Sequence, residues 1–445
     1  MPSNSTFHAD FRQALLAEKD FIDQELITEE LQTRRYEGRL DDRGKWNKKV
    51  TASASTSVRY KAIVHLRGGR TAMLSAHASS MPDPASLAKE LMKKAKKAKS
   101  APGAGLPLML ETPAMGLEIL DPRQATLTEE DRQGVISWNI ESIANISQKF
   151  RPDFIVLEES VSSRVYTAGK RMPKEETSSR FSLRGRVRKT GTKQFIDTEI
   201  RSRHFADVAS RPLCAVLVKR LEAGDKPVEV PEKADFVIFE PRVVGPIIQA
   251  MLPAFEAGRI ERGESFISGQ LGKERFSNRV HIIDDASLPN GVETRAFDDR
   301  GGPPMALTLV REGVMDCTYI LPETAKQRDC RPTGHAGQDA LWPGNILVKA
   351  GRRSLNMILT EDDTSIQATH IKGPLQLDIK TGEIEFVAHC FLNARGRTGK
   401  AGDCRFKGNI FDILSKVVET ANDQKRVGST DVSSWVLEGL EFELA

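Results

Sequence analysis

Phe236-Val237-Ile238-Phe239-Glu240-Pro241-Arg242-Val243-Val244-Gly245-Pro246-Ile247-Ile248-Gln249-Ala250-Met251-Leu252-Pro253-Ala254-Phe255 marks a change of texture in this 445-residue chain. Four apolar residues between Asp235 and Glu240 read as a short buried strand. Pro241, whose φ is already near the helical value, then opens an apolar helix to about Phe255. Val244, Ile247, Ile248, Met251 and Leu252 are its candidate core residues. The apolar run 243–255 is cut by Gly245, Pro246 and Pro253 and is too short for a bilayer, which takes about 20 residues.

Downstream the chain reads as short strands and turns, at 279–283, 306–311, 318–321, 345–349, 365–370, 375–379 and 384–391. One helix at about 411–420 and a last strand at 435–442 close it. Upstream, Phe7, Phe11 and Leu15 recur every four residues, as one buried helix face requires. Val58 to Val64 and Thr71 to Ala76 flank Gly68-Gly69, a hairpin signal because glycine reaches the positive φ of tight turns. Asp83-Pro84 predicts an N-cap and first helical residue, with Leu87, Leu91 and Ala95 buried. A long helix opens at Thr128, with Val135, Trp138, Ile143 and Ile146 inward. Strands follow at 153–168 and 181–200 around a polar loop, then a helix over 205–221. Helices alternating with antiparallel strands predict an α+β fold. The expected division is an N-terminal α+β domain, 1–225, with an antiparallel sheet and flanking helices, and a β-rich C-terminal domain, 235–445, with a curved or barrel-like sheet and few helices. Gly224-Asp225-Lys226-Pro227 and Pro231-Glu232-Lys233 supply the breaker-rich connector.

Charged residues at 28% and hydrophobic ones at 39% describe an ordinary globular mixture. Lys plus Arg, 65, nearly balances Asp plus Glu, 61, which argues against a dedicated nucleic-acid binder. Five cysteines without a C-x-x-C pair exclude a disulfide-dense scaffold and a four-thiolate zinc module. Met1 to Asp20 lacks the apolar core of a signal peptide, so a cytoplasmic, soluble protein is expected.

Candidates for chemistry are few. None of the eight histidines is followed by another at four or five residues, so the H-E-x-x-H type of zinc helix is absent. Cys317, Cys330 and His335 form a weak metal candidate without a fourth ligand; the alternative is buried, inert thiols. His389 and Cys390 are adjacent and, in a strand, face opposite ways. Gly396 to Lys400 is too short for a phosphate loop. Asp284-Asp285 and Asp298-Asp299 can hold a hard cation or cap turns beside glycines. Lys93, Lys94, Lys96, Lys97 and Lys99, and the alternating Arg184, Arg186, Arg188 and Lys189, can contact polyanions or be solvated faces. A Ser/His or Cys/His pair remains open, since such partners meet only in space.

An ordered series of motifs carries a family resemblance. Ser265-Phe266, Gln270-Leu271-Gly272-Lys273, His281 to Asp285, Leu288-Pro289-Asn290-Gly291 and Phe297-Asp298-Asp299-Arg300-Gly301 follow one another. Then come Arg311-Glu312-Gly313-Val314, Pro332-Thr333-Gly334-His335-Ala336, Asn345 to Gly351, Gly408-Asn409 and Asn422-Asp423. From Phe236 to Phe442 this resembles the TldD/PmbA family, also described as modulators of DNA gyrase. Arg300 stands where the family's D-D-E-G motif has glutamate, and the 396–403 segment is atypical.

One branch of that family is similar to metallopeptidases, with H-E-x-x-x-H on the helix after the strand and a late cysteine. Here those positions are approximately Gln249, Ala250 and Ala254, and Arg426 to Thr430 has no cysteine. The resemblance therefore implies the TldE/PmbA-like branch: no catalytic residue and no metal ligand in this chain, zinc in a TldD-like partner, and a heterodimer that processes or degrades short or unfolded peptides. Substrate-binding residues are not identifiable from the sequence. The alternatives are a self-sufficient hydrolase or transferase with a Cys/His or Ser/His site, and a polyanion-binding protein.

Overall fold

In a computed structural model, the structure describes residues 4–40, 46, 49–99, 116–146, 149–191, 195–210, 213, 234–338, 340–361, 364–394 and 397–445. The N-terminal part contains α1 (Asn4–Leu16), β1 (Phe21–Gly38), β2 (Val50–Leu66), β3 (Arg70–Ala78), α2 (Pro84–Lys97), α3 (Glu129–Ile146), β4 (Phe150–Ala168), β5 (Lys174–Lys189), β6 (Phe195–Ser202) and α4 (Phe205–Ala209). Its strands form one antiparallel sheet in the order β3-β2-β1-β4-β5-β6. The predicted face of α1 is buried, and α1 packs with α2 on Leu26, Ala62 and Val64. Asp83 caps α2 by accepting from the Ser86 N–H, as predicted. In α3 the inward residues are Val135, Ile136, Ile140 and Ile143, which meet Tyr36, Ile155 and Leu157. Trp138, expected inward, is exposed.

The C-terminal part begins with β7 (Phe236–Phe239), α5 (Pro241–Met251) and α6 (Ala257–Glu261), followed by β8 (Ile282–Asp285), β9 (Leu307–Arg311) and β10 (Val314–Met315). Then come α7 (Pro322–Gln327), β11 (Asn345–Val348), α8 (Leu355–Glu361), β12 (Ser365–Leu377), β13 (Glu383–Ala394) and β14 (Arg397–Asn409). The chain closes with α9 (Ile410–Ser415), β15 (Val417–Thr420), β16 (Lys425–Val427), β17 (Thr430–Val432), β18 (Trp435–Glu438) and β19 (Glu443–Leu444). Two sheets result, β10-β9-β8-β11-β17-β16 and β15-β18-β7-β12-β13-β14-β19. The apolar α5 is buried in the core they share, as a helix hydrophobic on most sides must be. Phe239, Phe386 and Phe406 pack with ring centroids 5.1–5.8 Å apart at its centre.

Several expectations are corrected. β1 was not anticipated, because its charged residues obscure the alternation. The span 181–200 is two strands, and much of the presumed loop before it belongs to β5. The stretch 411–420 is a short helix followed by β15, and 318–321 holds only an isolated bridge at Tyr319. The predicted strands 365–370 and 375–379 are the single strand β12. The helix over 205–221 is described only as α4; most of the remainder and the connector around 224–233 lie outside the described residues.

One face of the N-terminal sheet is covered by helices; the other receives the 297–301 loop of the C-terminal part. Phe297 packs on Ile27 and Tyr166. Asp299 accepts from Arg164 at 2.7 Å and pairs with Arg59 at 3.2 Å. Arg300 donates to both oxygens of Glu25 on β1, at 2.7 and 3.0 Å, and reaches Glu323 at 2.5 Å. Asp298 accepts from the N–H groups of Arg300, Gly302 and Ala336, which hold the loop's shape. Gly301 has φ +73°, and a Cβ there would lie 2.1 Å from the Tyr166 ring. Only glycine fits.

Burial alone would raise the Glu25 pKa, but hydrogen bonding from His65 and the charge of Arg300 outweigh it and hold the carboxyl at about 2. Its stabilising contribution is full above the ordinary carboxylate pKa of about 4.5 and disappears as pH falls toward 2. Denaturant unfolding is therefore expected to show a loss of stability across that window that Glu25→Gln flattens. Arg300→Ala leaves a buried carboxylate without its main partner, and a loss of about 3–5 kcal/mol is expected at pH 7. A loss under 1 kcal/mol in the same titration contradicts this coupling.

Candidate functional site at the helix–hairpin junction

α5 begins at Pro241, and its N-terminal neighbour Glu240 is buried and accepts from Gln367 Nε2 at 2.7 Å. Gly245 allows the helix to approach the hairpin of β16 and β17: a Cβ there would sit 3.0 Å from Val427 Cβ. One turn on, Gln249 Nε2 donates to the Val427 carbonyl at 3.0 Å and to Thr430 Oγ1 at 3.1 Å. Gly428, at φ +63°, turns the hairpin, and a side chain there would press on the Gln249 amide. Arg426 and Asp431 pair across its strands at 2.7 Å, and β17 runs parallel to β11.

The two segments that sequence reading singled out separately, 249–254 and 426–430, thus include residues in direct contact. What meets is an amide, a carbonyl and a hydroxyl. Ala250 and Ala254 carry no donor atom, and no thiol occurs in the hairpin. Zinc prefers thiolate, imidazole or carboxylate, so these residues do not fit the metal that the family's catalytic branch implies. Among the described residues no group of three or more His, Cys, Asp or Glu is placed to hold a metal ion.

The other candidates separate in space. His335 is fully buried, packs tilted against Tyr319 with ring centroids 5.0 Å apart, and lies 3.2 Å from Thr333 Oγ1 and 3.6 Å from Asp284; neither Cys317 nor Cys330 is among these partners. Asp284 accepts from the Tyr319 hydroxyl and the Gly344 N–H, while Asp285 caps the turn at Ser287. Arg186 pairs with Asp197 and Arg188 with Asp153, which neutralises much of the presumed basic face. Lys94 pairs with Glu90 and Lys96 with Glu18. Gly396 lies outside the described residues.

Sequence reasoning missed a histidine cluster on β12–β14. His370 and His389 have ring centroids 5.5 Å apart, and His389 Nδ1 lies 3.1 Å from Asp403, which also pairs with Lys372. Burial lowers the His370 pKa to about 3, so this imidazole is neutral at pH 7. Cys390 points to the opposite, buried side, where its free thiol shares a hydrogen bond with that of Cys404. No sequence signal links these strands, because β14, which contains most of the atypical 396–403 segment, is not among the strands expected from the sequence.

Comparison with solved structures places this architecture in a known fold. TldE from Thermococcus kodakarensis superposes with a TM-score of 0.84 at 16% identity, covering 97% of this chain and 99% of that one. A Bacteroides thetaiotaomicron protein described as a modulator of DNA gyrase gives 0.85 at 14%, covering 100% of both chains. Residues 233–443 match the family model of the PmbA/TldA metallopeptidase C-terminal domain, which assigns the C-terminal part of the chain to the PmbA/TldD family. A Methanocaldococcus jannaschii metalloprotease is 27% identical over 195 residues, 42% of this chain and 43% of the relative. Metalloprotease PmbA of Escherichia coli O157:H7 is 22% identical over 219 residues, 49% and 46% of the two chains. The aligned region thus spans about half the length of these curated relatives.

Gln249→Ala removes both bonds to the hairpin, each worth about 0.5–1.5 kcal/mol. A loss of about 1–2 kcal/mol in urea unfolding is expected, with faster amide exchange at residues 425–432 than elsewhere in the domain. Unchanged exchange there sinks the assignment of Gln249 as the hairpin's clamp.

Proposed function

We propose that this chain is a TldE/PmbA-like subunit that carries no metal itself and completes a heterodimeric metallopeptidase acting on short or unfolded peptides. The observation that carries this is the Gln249 contact with Val427 and Thr430: an amide clamp stands where the catalytic branch needs ligands. Without imidazole or carboxylate there, water cannot be activated by a metal. Likeness of fold to TldE supports the same reading. The TldD-like partner then holds the zinc, and this chain supplies walls and substrate-binding surface. β-rich walls suit an extended peptide, which strand addition holds through main-chain hydrogen bonds.

Two folding units, 1–225 and 235–445, and a cytoplasmic location belong to this proposal. Among the described residues no helix is long and apolar enough to cross a membrane. The partner interface is expected on the C-terminal part and, for a permanent complex, to exceed the roughly 1,200–2,000 Å² of standard complexes.

Co-expression with a family member that retains H-E-x-x-x-H is the test, read by native mass and by hydrolysis of unfolded peptides. The expected result is a stable one-to-one complex whose chelator-sensitive activity maps to the partner's histidines and glutamate. Peptide hydrolysis by this chain alone, or no shift in mass and no activity in the mixture, overturns the proposal.

A further inference from the structure

Beyond the seat of the 297–301 loop, the same face of the N-terminal sheet holds an open recess of about 270 Å³. Its lining sets three arginines and three glutamates beside Phe154 and Val156. Most of these charges neutralise one another or a close neighbour. Glu37 pairs with Arg35 at 3.1 Å and with Arg39. Glu199 pairs with Arg201 at 2.9 Å and accepts from Ser182 Oγ at 2.8 Å. Two charges are left over. Among the described residues, neither the Arg184 guanidinium on β5 nor the Glu158 carboxylate on β4 has an ion pair or a side-chain hydrogen bond. Arg184 meets only the half-buried Phe154 ring, 5.7 Å from its centroid. Arg186, which flanks the same ring at 5.5 Å, is already held by Asp197 at 2.7 Å.

Arg184 lies opposite Val156 and Glu158 opposite Ser182, so the two free charges are diagonal neighbours on adjacent antiparallel strands. Diagonal Cα atoms are about 7–8 Å apart, and side chains stand roughly perpendicular to a sheet. A lone cation and a lone anion thus face the recess at about that spacing, with apolar surface next to the cation. We infer that the recess binds a dipeptide-sized zwitterion, its free carboxylate on Arg184 and its free amino group on Glu158, with an apolar C-terminal side chain against Phe154 and Val156. A guanidinium fork takes a carboxylate through two parallel hydrogen bonds. Two extended residues span about 7 Å, which matches the spacing, whereas a single amino acid reaches only one of the two charges. An internal stretch of a longer chain has neither charged end and leaves both side chains unpaired. Hydrolysis of a peptide bond creates one new carboxylate and one new amino group, so free-ended fragments of this kind are its products. In that role, and only there, the inference rests on the proposed function.

Titration of the isolated full chain with Ala-Phe, by calorimetry and saturation-transfer NMR, tests it. One-to-one binding at a roughly millimolar Kd or tighter is expected. N-acetyl-Ala-Phe and the amide of Ala-Phe should each bind at least about tenfold more weakly, because each loses one charge-assisted contact. Arg184→Gln should abolish the preference for carboxylate over amide, and Glu158→Gln the preference for free amine over acetyl. Both side chains face open solvent, so circular dichroism and melting temperature should not change. Four outcomes overturn the inference: no binding of Ala-Phe; equal binding of both blocked peptides; variants that keep both preferences; and displacement of Ala-Phe by inorganic phosphate at equal concentration. Binding of Ala-Phe by a chain that forms no complex with a metallopeptidase upholds this inference while the proposed function fails. An active complex whose isolated subunit ignores Ala-Phe does the reverse.

Discussion

Burying a carboxylate inside a protein is tolerable only when a cation meets it, and Glu25 on β1 is met by Arg300, 275 residues further along the chain. That pair, with Asp299 between Arg59 and Arg164, determines how the loop at 297–301 seats on the N-terminal sheet. The loop can approach so closely because Gly301 lies flat against Tyr166. Its seat closes one end of the sheet's open face. Further along that face, Arg35, Glu37, Phe154, Glu158 and Arg184 line an open recess of about 270 Å³ with a mostly charged lining. The seat combines these ion pairs with the apolar packing of Phe297 on Ile27 and Tyr166.

The second constraint is the close approach of α5 to the β16–β17 hairpin. Gly245 and Gly428 clear the space, and Gln249 fills it with hydrogen bonds to Val427 and Thr430. A glutamine amide satisfies a carbonyl and a hydroxyl without charge, so the junction is held by the protein alone. In chemical terms it is a structural joint. Under the proposed function, catalytic power comes from the partner, and assembly is a condition of activity.

Local signals were legible wherever local physics decides. Asp83-Pro84 placed the start of α2, Gly68-Gly69 the β2–β3 hairpin, and Pro241 the start of α5, because caps, positive φ and fixed φ act within a few residues. β1 was hidden because Glu25 and Glu29, which look solvent-facing in the sequence, are neutralised by Arg300 and Arg59 from elsewhere. The first half of β2 was hidden too, since an Ala/Ser/Thr run has no apolar alternation. The helix–hairpin contact was half legible: the motif comparison named both segments, and only the fold showed that they touch. Asp298 and Asp285 do cap turns, whereas Asp299 serves the junction between the two parts of the chain.

The central claim is that metal binding belongs to the partner and not to this chain. Elemental analysis of the purified chain, and of its complex with a TldD-like family member, measures this directly. The account predicts no stoichiometric zinc in the isolated chain and one zinc per heterodimer, retained when Gln249 is replaced by alanine. One zinc per isolated chain, lost on substituting Cys317, Cys330 or His335, contradicts it.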